Sequence, residues 1–249
     1  DDTANGYNPQ LNTVPARRYS DDDRGASDRL SDQYGKLFLY DVEENQVLFY
    51  DGKVWKPDTN RQLTRYYNAM ADTVKNEAPR VPPDATDDVI KKAQRAKAKF
   101  VTRLRQRAGK IGALDFFKDS VSTGSEVFDA DNNLLNTPSG VLHLNECRQT
   151  PSNPDYRLTK ITVGKPAKVQ APKWLHFLNT IFEGDTELID FIQRAVGYSI
   201  AGTNYERVMF ILYGAGANNG SNGKSTFVQT VANGLGDYSV TINPTALAE

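Results

Sequence analysis

Cysteine and histidine are nearly absent from this sequence, and the few present lack the spacing of a metal or nucleophile site. There is one cysteine, Cys147, and there are two histidines, His143 and His176. A single cysteine cannot form an internal disulfide, so we expect a reducing, cytoplasmic environment. Zinc sites need about four closely spaced ligands, and a catalytic triad needs a suitably placed histidine, so neither is indicated.

Long apolar runs and an excess of one charge are missing as well. No run approaches the roughly 20 residues of a membrane-spanning helix, and there is no secretory signal, so no membrane partner is expected. With 30 basic and 31 acidic residues the net charge is -1, so any nucleic-acid binding needs a local patch. The 249 residues, 39% of them hydrophobic, suffice for one large or two modest globular domains.

The most informative segment joins an apolar run to a loop rich in glycine and asparagine. Residues 208–213 read Val-Met-Phe-Ile-Leu-Tyr, the loop follows at 214–223, and Lys-Ser-Thr comes next. This order predicts a buried strand, a phosphate-binding loop and the start of a helix, whose backbone N–H groups and dipole favour phosphate. The lysine would reach the outer phosphates and the next hydroxyl would bind Mg²⁺, so ATP and Mg²⁺ are the expected cofactors. The candidate nucleotide-binding residues are Gly220, Ser221, Asn222, Gly223, Lys224, Ser225 and Thr226, with Lys224 as the catalytic residue and Ser225 as the Mg²⁺ ligand.

The spacing of this loop departs from the strict phosphate-loop pattern. Asn218 stands where the pattern has a glycine five residues before Gly223. Either Asn218 adopts the left-handed conformation, which asparagine tolerates, or the loop carries a short insertion and residues 220–226 form the cradle alone. We favour the insertion. The alternative to a phosphate site is an ordinary turn that leads into a helix.

A second informative feature is a concentration of basic residues on one predicted helix. Apolar residues at helical spacing predict a helix from about residue 87 to 107, and no acid occurs between Asp88 and Asp115. The basic face would contact the phosphate backbone of DNA without reading bases, or it is simply a solvated helix face. The candidate DNA-binding residues are Lys91, Lys92, Arg95, Lys99 and Arg103.

The composition of the segments and the positions of proline and glycine divide the chain into four parts. Residues 1–33 are polar and predict a flexible arm or linker, and 34–165 alternate strand and helix patterns typical of an α+β domain. Residues 166–205 carry two helical periods and predict a helical linker or oligomerisation collar. Residues 206–249 would begin a phosphate-loop domain. The expected fold class is therefore an α+β accessory domain, a helical segment, and the first strand, loop and helix of an AAA+-type α/β P-loop domain.

Several of these segments resemble the phage and plasmid primase-helicases, which are similar to the poxvirus primase-helicase and contain a superfamily 3 helicase. The resemblance covers roughly residues 34–249. The segments that carry it are 50–55, 134–144, 158–161, 174–178, 191–202, 210–214 and 222–227.

The resemblance implies an ATP-dependent replicative DNA helicase that acts in DNA replication as a hexameric ring around DNA, with a replication initiator or a primase as a further partner. It implies Lys224 on the β- and γ-phosphates, Ser225 on Mg²⁺, and Thr226 with the Gly223 backbone on the inner phosphates. A phage or plasmid protein would work in the bacterial cytoplasm.

Two other classes of function remain open at this point. One is another P-loop enzyme such as a nucleotide kinase, although those usually place the loop near the start of the chain. The other is a non-enzymatic DNA-binding or assembly module. Because the chain begins with Asp1 and ends at Glu249, we expect a fragment that is inactive alone, with the acidic motif, polar sensor and arginine finger beyond it.

Overall fold

The computed structural model describes residues 19–168, 170–214 and 222–243, and the chain divides into two units. The first is Asp1–Phe128 and the second is Asp129–Glu249. Both helices and small sheets are present, so the expected mixture of α and β structure is confirmed. None of the described helices is both long and apolar enough to cross a membrane.

The first unit packs four helices on a four-stranded sheet. Its helices are α1 (Asp23–Tyr34), α2 (Gln62–Val74), α3 (Asp87–Arg105) and α4 (Arg107–Ser120). Its strands are β1 (Phe38–Asp41), β2 (Gln46–Tyr50), β3 (Trp55–Pro57) and β4 (Ser122–Thr123). The strand order is β3-β2-β1-β4; β1 is antiparallel to β2 and parallel to β4. Phe38, Met70 and Phe117 are completely buried in the core that these elements share.

Helix α1 lies in the stretch that was predicted to be a flexible arm, so that prediction is wrong for residues 23–33. The Asp22 side chain caps the helix by accepting a hydrogen bond of 2.7 Å from the Gly25 amide. Ala26 and Leu30 are completely buried against the other helices. The segment looked solvated because charged residues dominate it, but one of them, Arg29, is buried in an ion-pair cluster.

The described residues of the second unit form a three-stranded antiparallel sheet and three α-helices. The strands are β5 (Leu134–Thr137), β6 (Gly140–His143) and β7 (Arg148–Thr150), in the order β5-β6-β7. The helices are α5 (Pro172–Ile181), α6 (Thr186–Ile200) and α7 (Lys224–Leu235). The two helical periods predicted within residues 166–205 therefore correspond to α5 and α6.

The apolar run at 208–213 does not form the buried strand that the sequence predicts. No described residue pairs with it as a strand. Met209 and Ile211 are each 71% exposed, and Tyr213 is 82% exposed. A strand needs a neighbour for its backbone hydrogen bonds, and the described residues of this unit place none beside it. The start of an α/β P-loop domain is thus not confirmed by the fold.

Candidate nucleotide-binding end of α7 and basic face of α3

Helix α7 begins directly after a glycine that no other residue could replace without strain. Gly223 has a left-handed backbone with φ of 78°, and its carbonyl oxygen accepts a 2.9 Å hydrogen bond from the Phe227 amide. A Cβ atom at this position would lie 2.7 Å from Ile181 Cγ2 and 3.2 Å from the Phe177 ring. The backbone at Gly223 therefore lies tightly against the end of α5.

Stacked aromatic rings hold α5 against the first turn of α7. The Trp174 ring is stacked 5.4 Å from the Phe177 ring and 5.7 Å from the Phe227 ring, measured between centroids. The Phe182 ring meets Phe227 edge-on at 6.5 Å. Contacts of this kind add to the hydrophobic stabilisation of a buried ring such as Phe227. Trp174 is thus an anchor of α5 on α7.

The two described ends of the candidate phosphate loop lie side by side. A Cβ atom on Gly214 would lie 2.2 Å from Asn222 Nδ2 and 3.0 Å from Lys224 Nζ. The Lys224 ammonium donates a hydrogen bond of 2.5 Å to Asn222 Oδ1. The Asn222 amide therefore lies next to the backbone of Gly214 and the Lys224 side chain, while Asn222 itself is exposed. Gly220 and Ser221 lie outside the described residues, as does Asn218, so the choice between the two loop conformations stays open.

This end of α7 has the donors that a phosphate group requires. The first amides of a helix have no intrahelical acceptor, and the Ser225 and Thr226 side chains on the same turn are exposed. The partner of Lys224 is a neutral amide, and no ion pair with an acid compensates its charge among the described residues. The residues present fit a bound phosphate chain and the hydroxyl ligand of a Mg²⁺ ion.

The opposite end of α7 is hydrogen-bonded to the segment that follows the three-stranded sheet. The Gly234 carbonyl oxygen accepts from the amides of Val163 at 3.2 Å and Gly164 at 2.9 Å. Ile161 and Asp237 exchange two bonds: the Asp237 amide donates to the Ile161 oxygen, and the Ile161 amide donates to Asp237 Oδ2.

Tyr238 completes this junction. Its hydroxyl oxygen accepts from the Asn136 amide of β5 at 3.0 Å. Burial raises the pKa of Tyr238, although the bond from Asn136 opposes the shift. We call Gly234, Asp237 and Tyr238, together with their partners in 160–164 and β5, the α7 anchor. Sequence reasoning missed it, because its members are far apart along the chain, up to 102 positions for Asn136 and Tyr238, and every hydrogen bond involves a backbone atom.

The basic face of α3 keeps four exposed cations. Lys91, Lys92, Arg95 and Lys99 are exposed, and no ion pair with an acid is found for them within the described ranges. At 3.6 residues per turn they fall within an arc of about 100°, and Lys91 and Lys99 are about 12 Å apart along the helix axis. The four side chains can therefore contact one polyanionic backbone together.

Arg103 differs from these four, which corrects the expectation that the basic run has no compensating acids. Its Nε and Nη2 atoms bind the two carboxylate oxygens of Asp23 on α1, at 2.9 Å and 2.6 Å. The pair raises the pKa of Arg103. A Cβ atom on Gly112 of α4 would lie 2.4 Å from Asp23 Oδ2, so glycine at this position makes room for the pair. Arg103 thus joins α3 to α1 instead of standing free.

Lys97 is also removed from the basic face. It is buried, and its ammonium lies 3.0 Å from Asp21 Oδ1 and 2.6 Å from Glu77 Oε2. Arg29 binds the same two carboxylates, with Nη2 at 3.1 Å from Asp21 Oδ1 and 2.7 Å from Glu77 Oε2. Burial alone would raise the pKa of Glu77, but hydrogen bonds from Arg29 and Lys97 hold it below its usual value. We call these four residues the Arg29 cluster.

The comparison with protein families decides the affiliation. Residues 27–183, more than half of the chain, match the family model described as D5 N terminal like. The chain belongs to the D5 N-terminal-like family. This domain occurs in phage and plasmid primase-helicase proteins. No curated protein matches the chain significantly.

The D5 N-terminal-like region contains one of the two candidate sites. It includes α3 with its basic face and the segment at 160–164, and it ends shortly after α5. Lys224 and the rest of α7 lie outside it, so the nucleotide-binding residues stay predictions that rest on their own geometry. The described part of the chain has no cluster of three or more His, Cys, Asp and Glu side chains that could hold a metal ion.

Proposed function

We propose that this protein acts in DNA replication as an ATP-dependent helicase of the phage and plasmid primase-helicase type. The observation that carries the proposal is the convergence of Gly214, Asn222 and Lys224 at the start of α7. It is supported by the D5 N-terminal-like region on the same chain, because that domain occurs in primase-helicases. The working form would be a homohexameric ring around DNA, with a replication initiator or a primase as a partner.

In this proposal the start of α7 holds MgATP. Lys224 is the catalytic residue that would bind the β- and γ-phosphates, and the Ser225 hydroxyl would bind Mg²⁺. Thr226 and the backbone of Gly223 would bind the inner phosphates, and Gly220, Ser221 and Asn222 would complete the loop. The metal ion would neutralise charge on the phosphates during hydrolysis. The protein's contribution is the positive charge of Lys224 and the amides of the first helical turn.

Nucleotide binding by the chain tests this proposal. We expect a fluorescent ATP analogue with Mg²⁺ to bind wild-type protein, and Lys224→Ala to weaken binding at least tenfold, since the phosphates would lose a charged hydrogen bond. Lys168→Ala is the matched control, because this exposed lysine lies in the same unit and is not part of α7. Equal binding by wild type and Lys224→Ala would refute the proposed site.

A non-enzymatic DNA-binding module is a second candidate function. The specific observation in its favour is the uncompensated charge of Lys91, Lys92, Arg95 and Lys99. Such a face would bind the DNA backbone with or without a working nucleotide site, and its affinity would fall steeply with salt.

The salt dependence of DNA binding tests the basic face. We expect a triple Gln variant of Lys92, Arg95 and Lys99 to bind labelled single-stranded DNA more weakly. The slope of log affinity against log salt should fall in magnitude by about 2, at about 0.7 per lost phosphate contact. The control replaces three exposed cations of the same unit, Lys36, Arg61 and Arg65, and should leave the slope unchanged. If both triples change the slope equally, the face has no special role.

Arg103→Gln separates free cations from paired ones in the same assay. Since Asp23 already binds the guanidinium, this variant should keep the wild-type salt slope. A fall in the salt slope comparable to that expected for the loss of one lysine of the basic face would contradict the pairing of Arg103 with Asp23.

A further inference from the structure

Helix α7 is fixed at its two ends and poorly packed along its length. It spans Lys224–Leu235, about 18 Å, and Phe227 is the only residue of this helix that is buried. A cavity of about 200 Å³ separates α7 from α6 and the run at 208–213, and its lining includes Ile192, Phe210 and Val231. Side-chain packing therefore fixes only the first turn of α7, and other contacts must fix the rest.

The α7 anchor supplies these contacts with a defined register. Gly236 has φ of 56°, and a Cβ atom there would lie 2.9 Å from the Ile161 oxygen and 3.0 Å from the Val163 amide nitrogen. The two backbones approach so closely that only glycine fits between them. The bonds from Val163 and Gly164 to Gly234 then set the position of the last turn of α7 along its axis.

We propose that the α7 anchor positions the nucleotide-binding end of α7, and that a bound nucleotide and the anchor stabilise each other. This inference rests on the proposed nucleotide site. An α-helix of this length moves as a rigid element, so opening of the anchor lets α7 pivot about the packed Phe227 ring and tilts the first turn, where Lys224 and Ser225 lie. Asp237 and Tyr238 are then positioning residues, which act on the nucleotide through α7 and do not touch it.

Thermodynamic linkage gives the expected size of the mutual stabilisation between the nucleotide and the anchor. If the nucleotide binds only while the anchor is closed, it reduces the equilibrium constant for anchor opening by the factor 1 + [L]/Kd. At ten times Kd this factor is about 11. The amides of Val163 and Gly164 report anchor opening directly, because both are bonded to Gly234.

The first experiment measures amide hydrogen exchange of the wild-type chain with and without a magnesium complex of a non-hydrolysable ATP analogue. We expect the exchange of Val163 and Gly164 to slow about 11-fold at ten times the measured Kd. The amides that pair β6 with β7 serve as internal reference and should change less. Unchanged exchange at Val163 and Gly164 with the nucleotide bound would overturn the inference.

The second experiment needs no nucleotide. Tyr238→Phe removes the hydroxyl that receives the Asn136 amide, and Tyr205→Phe is the matched control because Tyr205 is 84% exposed. Exchange of the Phe227 amide, which bonds Gly223 in the first turn, should rise about fivefold to tenfold in Tyr238→Phe alone. If Tyr238→Phe folds poorly, Asp237→Asn serves as the second variant, because it keeps the shape of the side chain. It should also raise the exchange rate of the Phe227 amide. Wild-type exchange at Phe227 in both anchor variants would overturn the inference.

The two experiments separate this inference from the proposed function. A nucleotide that binds without slowing exchange at Val163 and Gly164 refutes the positioning role and leaves the nucleotide site intact. A chain that binds no nucleotide, but in which Tyr238→Phe loosens the first turn of α7, refutes the nucleotide site and supports the mechanical link.

Discussion

Replacement of Arg29 should destabilise the first unit by weakening the attachment of α1. This side chain is 2% exposed, and its five N–H groups donate five hydrogen bonds. Two go to Glu77, one goes to Asp21, and two go to the backbone oxygens of Ser20 and Gly25. Arg29→Met keeps much of the apolar volume but leaves these acceptors short of a donor.

The expected loss of stability depends on how well the carboxylates of Asp21 and Glu77 remain paired after Arg29 is replaced. Breaking a buried ion pair from one side costs about 3–5 kcal/mol, because the remaining charge is left unpaired. Here Lys97 still binds both carboxylates, and the Glu77 side chain is 34% exposed, so the lower end applies. We expect the free energy of unfolding of the first unit to fall by about 3 kcal/mol. For a unit of this size, that corresponds to a fall of about 10 °C in Tm.

The two tryptophans allow the assay to follow one unit at a time. Trp55 is 2% exposed in the first unit, and the other tryptophan, Trp174, belongs to the second. Urea unfolding followed by fluorescence in a Trp174→Phe background therefore reports the first unit alone. Arg24→Met is the matched control on the same helix, since Arg24 is 69% exposed and 4.0 Å from Asp28. Its expected effect is below about 0.5 kcal/mol. Equal losses in the two variants would refute the structural role of the Arg29 cluster.

Two further predictions concern pH and the loop glycine. The pKa of Glu77 lies below its usual 4.5 in the folded state, so its ionised form stabilises the first unit above about pH 4.5, and this stabilisation is lost as pH falls through the folded pKa. In Glu77→Gln the free energy of unfolding should be lower at pH 7 and less dependent on pH below 5, and urea titrations that run parallel to wild type would contradict this. Gly223→Ala should lower the stability of the second unit by about 1–3 kcal/mol, because it combines a left-handed backbone with a clash against Ile181. Gly197→Ala, on α6 with no atom near the new Cβ, should raise stability by about 0.5–1 kcal/mol, and calorimetry that finds the same sign for both would refute the argument.

Local periodicity predicted α2, α3, α5 and α6, but it did not predict α1 or α4 and failed where partners are distant in sequence. The apolar positions Leu63, Met70 and Val74 recur at helical spacing, and all three are buried on α2. By contrast, Arg29 and Lys97 look like ordinary solvated charges, because their pairs with Glu77 join residues 48 and 20 positions apart. The same limit explains why the acid beside Arg103 went unnoticed: Asp23 is 80 residues away along the chain.

Of the candidate nucleotide site, the sequence predicts the start of a helix at Lys224. A Gly-Lys-Ser-Thr sequence specifies a left-handed glycine and a helix start, which depend on neighbouring residues only, and Gly223 and α7 adopt them. The proximity of Gly214 to Asn222 and Lys224 joins residues on either side of the loop, so spacing alone does not predict it. The α7 anchor depends on contacts even further apart in sequence and left no signal.

The run at 208–213 has the side-chain pattern of a strand but lacks the hydrogen-bonded neighbour that a strand needs among the described residues. Phe210 and Leu212 are 39% and 37% exposed, whereas Met209, Ile211 and Tyr213 between and after them are 71%, 71% and 82% exposed. On the more buried face, the Phe210 ring meets Phe191 and Tyr198 of α6 edge-on at 6.2 Å and 6.4 Å. An alternation with a period of two is the side-chain pattern of a strand that has one face on helices. Because all six residues are apolar, the sequence does not predict which side chains face α6, and the hydrogen-bonded ladder depends on a neighbouring strand that local pattern does not specify either.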